Sequence, residues 1–184
     1  MTTFTTILHE KLKAPLPGFD IQKKMAPPMR SDSSAVPDNA RIGAVMILLH
    51  ENQKEWHTIL IRRTEDGNTH SGQISFPGGK KDDSDESIEY TAIRECEEEI
   101  GILQKDIEVI GCLTPLYIPP SNFLVTPTIG ILHHLQQFKL SEREVKEVIK
   151  VPLSVLFQEG IKVTHRVQRS DYKHLDVETP VYKL

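Results

Sequence analysis

A run of glutamates between Arg94 and Gly101 carries the strongest chemical signal in this 184-residue sequence. On a helix that turns by about 100° per residue, Glu95, Glu98 and Glu99 lie within one arc of roughly 100°. Like charges at these spacings repel by about 0.2–0.5 kcal/mol per exposed pair, so we expect a positive group beside them. Mg²⁺ and Mn²⁺ prefer carboxylate oxygens and keep waters that a substrate phosphate can displace. A solvated acidic helix face is the alternative interpretation.

Two further features favour the cation site. The glutamates border an apolar stripe of the same helix, where an unneutralised carboxylate is more costly. Gly78 and Gly79 stand shortly before the helix, and glycines allow a ligand to approach the backbone closely. The free amides at a helix N-terminus also favour anions, such as the phosphate of a substrate that binds the cation. The stripe consists of Ile88, Ala92, Ile93, Cys96 and Ile100.

The glutamate helix is predicted to run from about Glu86 to Ile100. Either Asp83 or Asp85 is available as its N-cap, and Gly101 is placed to end it.

The remaining pattern predicts an α+β (mixed α/β) protein, with a mixed sheet sandwiched between helices. A short amphipathic helix and a Pro-, Ser- and Asp-rich arm occupy residues 1–40, and one domain occupies 41–184. A hairpin precedes the long glycine-containing loop, and further strands follow the glutamate helix. The predicted elements are a helix over 4–13, strands over 41–51, 55–63, 106–118, 123–135, 145–151 and 161–166, and a helical turn over 152–158.

Composition indicates an ordinary cytoplasmic protein. The chain is 38% hydrophobic and 26% charged, with no apolar run long enough to span a bilayer. The N-terminal residues lack the pattern of a secretory signal. A net charge of −4 disfavours a nucleic-acid polymer as partner. The two cysteines, Cys96 and Cys112, have no metal-binding spacing and are expected to be reduced core thiols.

The glutamate segment resembles the Nudix box, in which a glycine, a glutamate and an Arg-Glu-x-x-Glu-Glu-x-Gly run occur at fixed spacing. Its second half matches Arg94, Glu95, Glu98, Glu99, Gly101 and Ile102. Its first half departs from the pattern, because the expected glycine position holds Lys80 and Gly79 lies one residue too early. Either Asp85 or Glu86 therefore takes the place of the first glutamate of the box.

The extra residue in this loop is a feature of one branch of the family, the coenzyme A diphosphatase-like Nudix proteins, which this sequence resembles. The segment LIRRTEDGNTHSGQISFPGGKKDDSD is similar to the upstream pattern of that branch. The resemblance implies hydrolysis of coenzyme A or its derivatives to 3',5'-ADP and phosphopantetheine. The alternatives are a Nudix hydrolase of ADP-ribose or other nucleoside diphosphate derivatives, and a nucleotide-sensing Nudix domain without turnover. The matching positions are Arg62 or Arg63, His70, Gly72, Gln73, Phe76, Pro77, Gly78, Gly79, Asp82 and Asp85.

The resemblance also implies roles for individual residues. Mg²⁺ or Mn²⁺ would be held by the three glutamates, with the carbonyl of Gly79 as a further ligand. The general base would come from these glutamates or from a downstream loop, where Glu144 and Glu147 are candidates. Substrate-binding candidates are Arg62, Arg63, His70, Gly78 and Gly79, and Lys80 and Lys81 are available for a 3'-phosphate. Structural support is expected from Arg94 with Asp85 or Glu86.

Two expectations concern the ends of the chain. The N-terminal arm is a candidate surface for a homodimer. Related proteins usually continue past the Thr-Pro-Val-Tyr stretch into a strand containing Ile-Trp-Gly, so we expect a final strand to be missing beyond Leu184 or not represented.

Overall fold

The computed structural model of the chain describes residues 3–25, 35–65, 72–168 and 176–182. Four α-helices and three short 3₁₀ helices lie in these ranges. The α-helices are α1 (Thr3–Leu12), α2 (Phe19–Gln22), α3 (Ile88–Ile100) and α4 (Leu153–Leu156), and the 3₁₀ helices are Lys23–Met25, Gln104–Asp106 and Pro119–Ser121.

Eight of the described strands form one mixed sheet, and two more form a separate hairpin. The central strand β1 runs antiparallel to β2 and parallel to β7. The order is β3-β2-β1-β7-β5, while β4 pairs with β1, β6 with β7, and β8 with β2. The strands are β1 (Arg41–Asn52), β2 (Glu55–Arg63), β3 (Ile74–Ser75), β4 (Gly78–Lys80), β5 (Ile107–Cys112), β6 (Leu116–Ile118), β7 (Phe123–Leu132), β8 (Val145–Pro152), β9 (Lys162–Gln168) and β10 (Asp176–Tyr182).

Helices cover both faces of the sheet. Alternate residues of β1 point to opposite faces and therefore pack against different helices. Ala44, Met46 and Leu48 pack in one cluster with the apolar stripe of α3. Leu49 belongs to a second cluster, against which the α1 residue Phe4 packs. This arrangement confirms the predicted α+β class with a mixed sheet between helices. No helix among the described residues is long and apolar enough to cross a membrane.

The glutamate helix begins two residues later than predicted. Ser87 is its N-cap, and its side-chain oxygen accepts a hydrogen bond from the amide of Tyr90 at 3.1 Å. The prediction of Asp83 or Asp85 as N-cap is therefore wrong. Gly101 ends the helix in the left-handed conformation with φ 73°, as predicted.

The strands after α3 differ from the predicted ones because of local backbone geometry. The predicted strand 106–118 is divided into β5 and β6, and both pair with β7. The pairing register shifts at Gly111, whose φ of 152° is rare for residues with a side chain. The strand predicted over 123–135 ends at Leu132, and the one predicted over 161–166 is the longer β9. Its partner β10 was missed by the sequence analysis.

One buried histidine lies at the far end of the hairpin. His50 is 1% exposed, and its ring stacks on that of His57 with 5.2 Å between centroids. Neither ring nitrogen of His50 has a hydrogen-bond partner within the described ranges. Burial lowers the pKa of His50, and the neighbouring His57 and Lys150 lower it further.

Candidate active site

The loop before α3 is fastened to the helix by an ion pair between Asp85 and Arg94. Nε and Nη2 of Arg94 donate to the two oxygens of Asp85 at 2.9 and 3.0 Å. The Asp85 carboxylate also accepts from the amide of Asp82 and the hydroxyl of Thr91, each at 2.9 Å. These donors, above all Arg94, hold the pKa of the buried Asp85 carboxyl well below its usual range. The carboxylate is therefore ionised and fixes the loop.

Asp85 rather than Glu86 is the partner of Arg94. The side chain of Asp85 is fully buried, whereas Glu86 is exposed. The prediction that left Glu86 open for this role is corrected, because the backbone of the loop turns Asp85 towards the helix. The amine of Lys81, a candidate for phosphate binding, donates to the carbonyl of Asp85 at 2.6 Å.

Arg94 also reaches two of the three site glutamates. Its Nη1 donates to Glu95 at 3.0 Å and to Glu98 at 3.2 Å. A further donation from Nη2 to the carbonyl of Lys80, at 3.0 Å, joins the helix to β4. Asp85 and, to a smaller extent, Glu95 raise the pKa of Arg94, so the guanidinium stays charged. One arginine thus connects the glycine loop with the glutamate face.

Glu99 is the most deeply buried of the three glutamates. Its side chain is 2% exposed, and it accepts from the amide of Gly78 at 2.9 Å and from Nη1 of Arg63 at 3.4 Å. Burial, together with the charges of Glu95 and Glu144, raises the pKa of Glu99 to about 7 against the opposing effects of the Gly78 amide and Arg63. Placing a charge here is costly, so the carboxylate requires positive partners.

Glu95 lies directly against the glycine loop. A Cβ added to Gly79 would be 2.5 Å from the carboxyl carbon of Glu95, a distance that real side chains do not reach. A side chain at this position would therefore displace the Glu95 carboxylate. Burial raises the pKa of Glu95, and the charges of Glu98 and Glu144 act in the same direction. Glu98 is more open, with 56% of its side chain exposed.

The two candidates for the general base lie in different surroundings. Glu144 is exposed and is close enough to Glu95 and Glu99 to raise the pKa of both. The amide of Ser141 donates to the carbonyl of Glu99 at 3.0 Å, which ties the loop carrying Glu144 to the end of α3. Glu147 instead pairs with Arg62. The structure thus brings Glu144, not Glu147, to the glutamate face.

The substrate-binding candidates are only partly brought together. Arg63, Gly78 and Gly79 adjoin the glutamates, whereas Arg62 is engaged with Glu147. His70 lies outside the described residues.

The donor chemistry of this cluster suits a hard divalent cation, because every candidate ligand is an oxygen. The buried carboxylate of Glu99 and the partly buried one of Glu95 also favour a positive partner beyond Arg63 and Arg94. Across the described ranges, no three acidic, histidine or cysteine side chains already converge on a point that would hold an ion. The residues therefore fit a cation by chemistry, and Arg94 bridges Glu95 and Glu98.

Thr91 is a site residue that the sequence analysis missed. Its side chain is 0% exposed and its hydroxyl donates to Asp85. A polar residue within the apolar stripe of α3 was the available signal, since a buried hydroxyl requires a partner.

The sequence of the chain is similar to that of known proteins of one family. The NUDIX domain profile matches residues 40–165. A relative from Photorhabdus laumondii, described as "Uncharacterized Nudix hydrolase NudL", is 35% identical over 156 residues, which cover 85% of this chain and 75% of the relative. A protein of the same description from Pectobacterium atrosepticum is 37% identical over 116 residues, covering 63% of this chain and 60% of that relative.

Among solved structures, a Caenorhabditis elegans Ap4A hydrolase in a binary complex is similar, with a TM-score of 0.54 and 17% identity. The match covers 62% of this chain and 81% of that one. At this identity the likeness concerns the fold alone.

Proposed function

The chain belongs to the Nudix hydrolase family, and from this premise we propose that it hydrolyses the diphosphate linkage of a nucleotide-containing metabolite. Nudix hydrolases use divalent metal cations, and here Glu95, Glu98 and Glu99 would hold Mg²⁺ or Mn²⁺ with the carbonyl of Gly79. When bound, the ion neutralises the diphosphate, polarises the attacked phosphorus and lowers the pKa of a bound water.

The residues of this chain supply positioning. The Asp85–Arg94 ion pair holds the glycine loop against α3, so the Gly79 carbonyl and the glutamate oxygens keep their relative places. Phosphoryl transfer depends mainly on such positioning and on charge neutralisation. Glu144 is the proposed acceptor of the proton of the attacking water, because its exposed carboxylate lies near Glu95 and Glu99.

Coenzyme A or one of its derivatives is the proposed substrate, with 3',5'-ADP and a phosphopantetheine as products. The observation that carries this proposal is the loop of residues 72–85, whose extra residue matches the coenzyme A diphosphatase-like pattern. The pairing of Asp85 with Arg94 supports it, because the longer loop still delivers a carboxylate to the box arginine. Arg63 and the Gly78–Gly79 loop are the proposed contacts for the diphosphate.

The test is mass-resolved product analysis of the purified protein with coenzyme A, ADP-ribose and a nucleoside triphosphate. Each substrate is incubated with Mg²⁺, with Mn²⁺ or with chelator, and a Glu98→Gln variant is the matched control. Metal-dependent release of 3',5'-ADP by the wild type alone supports the proposal. Turnover of ADP-ribose instead of coenzyme A supports the proposed diphosphatase activity but refutes coenzyme A as the substrate. Equal, negligible turnover by the wild type and Glu98→Gln refutes the proposed hydrolase activity and favours a nucleotide-sensing domain.

A further inference from the structure

Two neighbouring arginines at the end of β2 have different partners. Successive side chains of a strand point to opposite faces of the sheet, so Arg62 and Arg63 diverge. Arg62 pairs with Glu147 of β8, whereas Nη1 of Arg63 faces Oε1 of Glu99 at 3.4 Å. The pairing of β2 with β8 shifts register between the two arginines, and such bulges redirect side chains at functional sites.

The carboxylate that Arg63 faces has one oxygen already committed. Oε2 of Glu99 accepts the Gly78 amide at 2.9 Å, and Oε1 is the oxygen towards Arg63. Because the Glu99 side chain is 2% exposed, water contributes little to its solvation. The guanidinium of Arg63, with 34% of the side chain exposed, is thus the charged partner of Oε1 and still borders solvent.

We propose that Arg63, besides contacting the diphosphate, serves as the internal counter-charge of Glu99 and competes with a divalent cation for that carboxylate. The inference rests on the proposed function, in which Glu99 is a metal ligand. A cation that binds Glu99 through Oε1 meets the positive charge of Arg63. Arg63 therefore stabilises the buried carboxylate in the metal-free protein and weakens the affinity for metal.

The size of this competition follows from Coulomb's law. A divalent cation and a unit charge about 6 Å apart repel enough to change an affinity roughly tenfold at a dielectric constant of about 80, and roughly threefold once salt at about 0.15 M screens them. Removal of the Arg63 charge is therefore expected to tighten metal binding by that factor. If Arg63 only contacted substrate, its replacement would leave metal binding in the absence of substrate unchanged.

The experiment measures binding of Mn²⁺ alone to metal-free protein, by the electron paramagnetic resonance of the free ion, at pH 8.5, so that Glu99 binds as a carboxylate in the wild type and in the variants. Arg63→Gln is expected to bind Mn²⁺ three- to tenfold more tightly than the wild type. Arg63→Lys keeps the charge and is expected to stay within twofold of the wild type. Arg62→Gln removes an equal charge from the adjacent position on the other face and is also expected to stay within twofold. In a Glu99→Gln background, the gain from Arg63→Gln is expected to fall below twofold.

Several outcomes overturn the proposal. Unchanged or weaker Mn²⁺ binding by Arg63→Gln shows that the arginine does not compete with the cation. If Arg62→Gln tightens Mn²⁺ binding as much as Arg63→Gln does, the effect comes from the net charge of the protein and not from the place of Arg63 beside Glu99. In both cases the wild type still binds Mn²⁺ in a manner that Glu98→Gln weakens, so the proposed function survives. If the wild type binds no Mn²⁺, the metal-dependent function and the role of Arg63 are both refuted.

Discussion

Replacement of Asp85 by asparagine tests the ion pair that holds the glycine loop on α3. The side chain of Asp85 is fully buried, and Arg94 is 17% exposed. Loss of one partner of a buried pair costs about 3–5 kcal/mol, because the remaining charge stays away from water. Arg94 retains its contacts with Glu95 and Glu98, so we expect the lower end, a loss of about 3 kcal/mol in the free energy of unfolding.

The assay is urea unfolding at pH 7, with Glu86→Gln as the matched control. Both substitutions convert an acid of the same loop to its amide, but Glu86 is exposed. The control is therefore expected to change the free energy of unfolding by no more than about 0.5 kcal/mol.

The effect of Asp85→Asn also depends on pH in a fixed direction. The folded pKa of Asp85 lies below that of an unfolded aspartate, which is about 3.9. The stabilisation is therefore fully present above about pH 4 and is lost as the pH falls below it, because the unfolded state binds the proton first. The difference between wild type and Asp85→Asn should shrink when the pH is lowered from 6 towards 3.

Equal stabilities of Asp85→Asn and Glu86→Gln would refute the assignment of Asp85 as the buried partner of Arg94. A difference that stays constant down to pH 3 would refute the electrostatic origin of the effect.

Three further predictions concern single residues. Gly79→Ala should lower turnover by about tenfold or more in the coenzyme A assay, because its Cβ displaces the Glu95 carboxylate; unchanged turnover would contradict this. Glu98→Gln should lower kcat by about 10²-fold or more, yet change the free energy of unfolding by under about 0.5 kcal/mol, because Glu98 is exposed. The wild type should lose stability as the pH falls below about 6.5, because unfolded His50 is protonated more readily than the buried one. In urea titrations at pH 7.5 and 5.5, the loss of stability should be smaller in His50→Phe than in the wild type, and an identical loss would exclude His50 as a source.

Local patterns in the sequence were sufficient for the elements that build the site. The 3.6-residue period of the apolar stripe and Gly101 predicted the helix and its end, and the β-branched runs predicted the hairpin of β1 and β2. These signals are local because side-chain periodicity and the conformational freedom of glycine act within a few residues. The spacing of the box also selected Arg94 and the three glutamates before any contact was known.

Long-range pairing was beyond the reach of those signals. The division of residues 106–118 into β5 and β6 depends on how each pairs with β7, and β10 is a strand through its pairing with β9. Strand pairing is decided by packing against neighbours and is only weakly expressed in local propensity.

The sequence by itself determined the family resemblance, the helix and the set of acidic residues that could bind a cation. Only the tertiary structure decided which member of each ambiguous pair acts at the site. Asp85 rather than Glu86 meets Arg94, and Arg63 rather than Arg62 faces Glu99. Adjacent residues of one charge are equivalent in composition, but a turn or a strand sends their side chains in different directions. The course of the backbone therefore makes the choice.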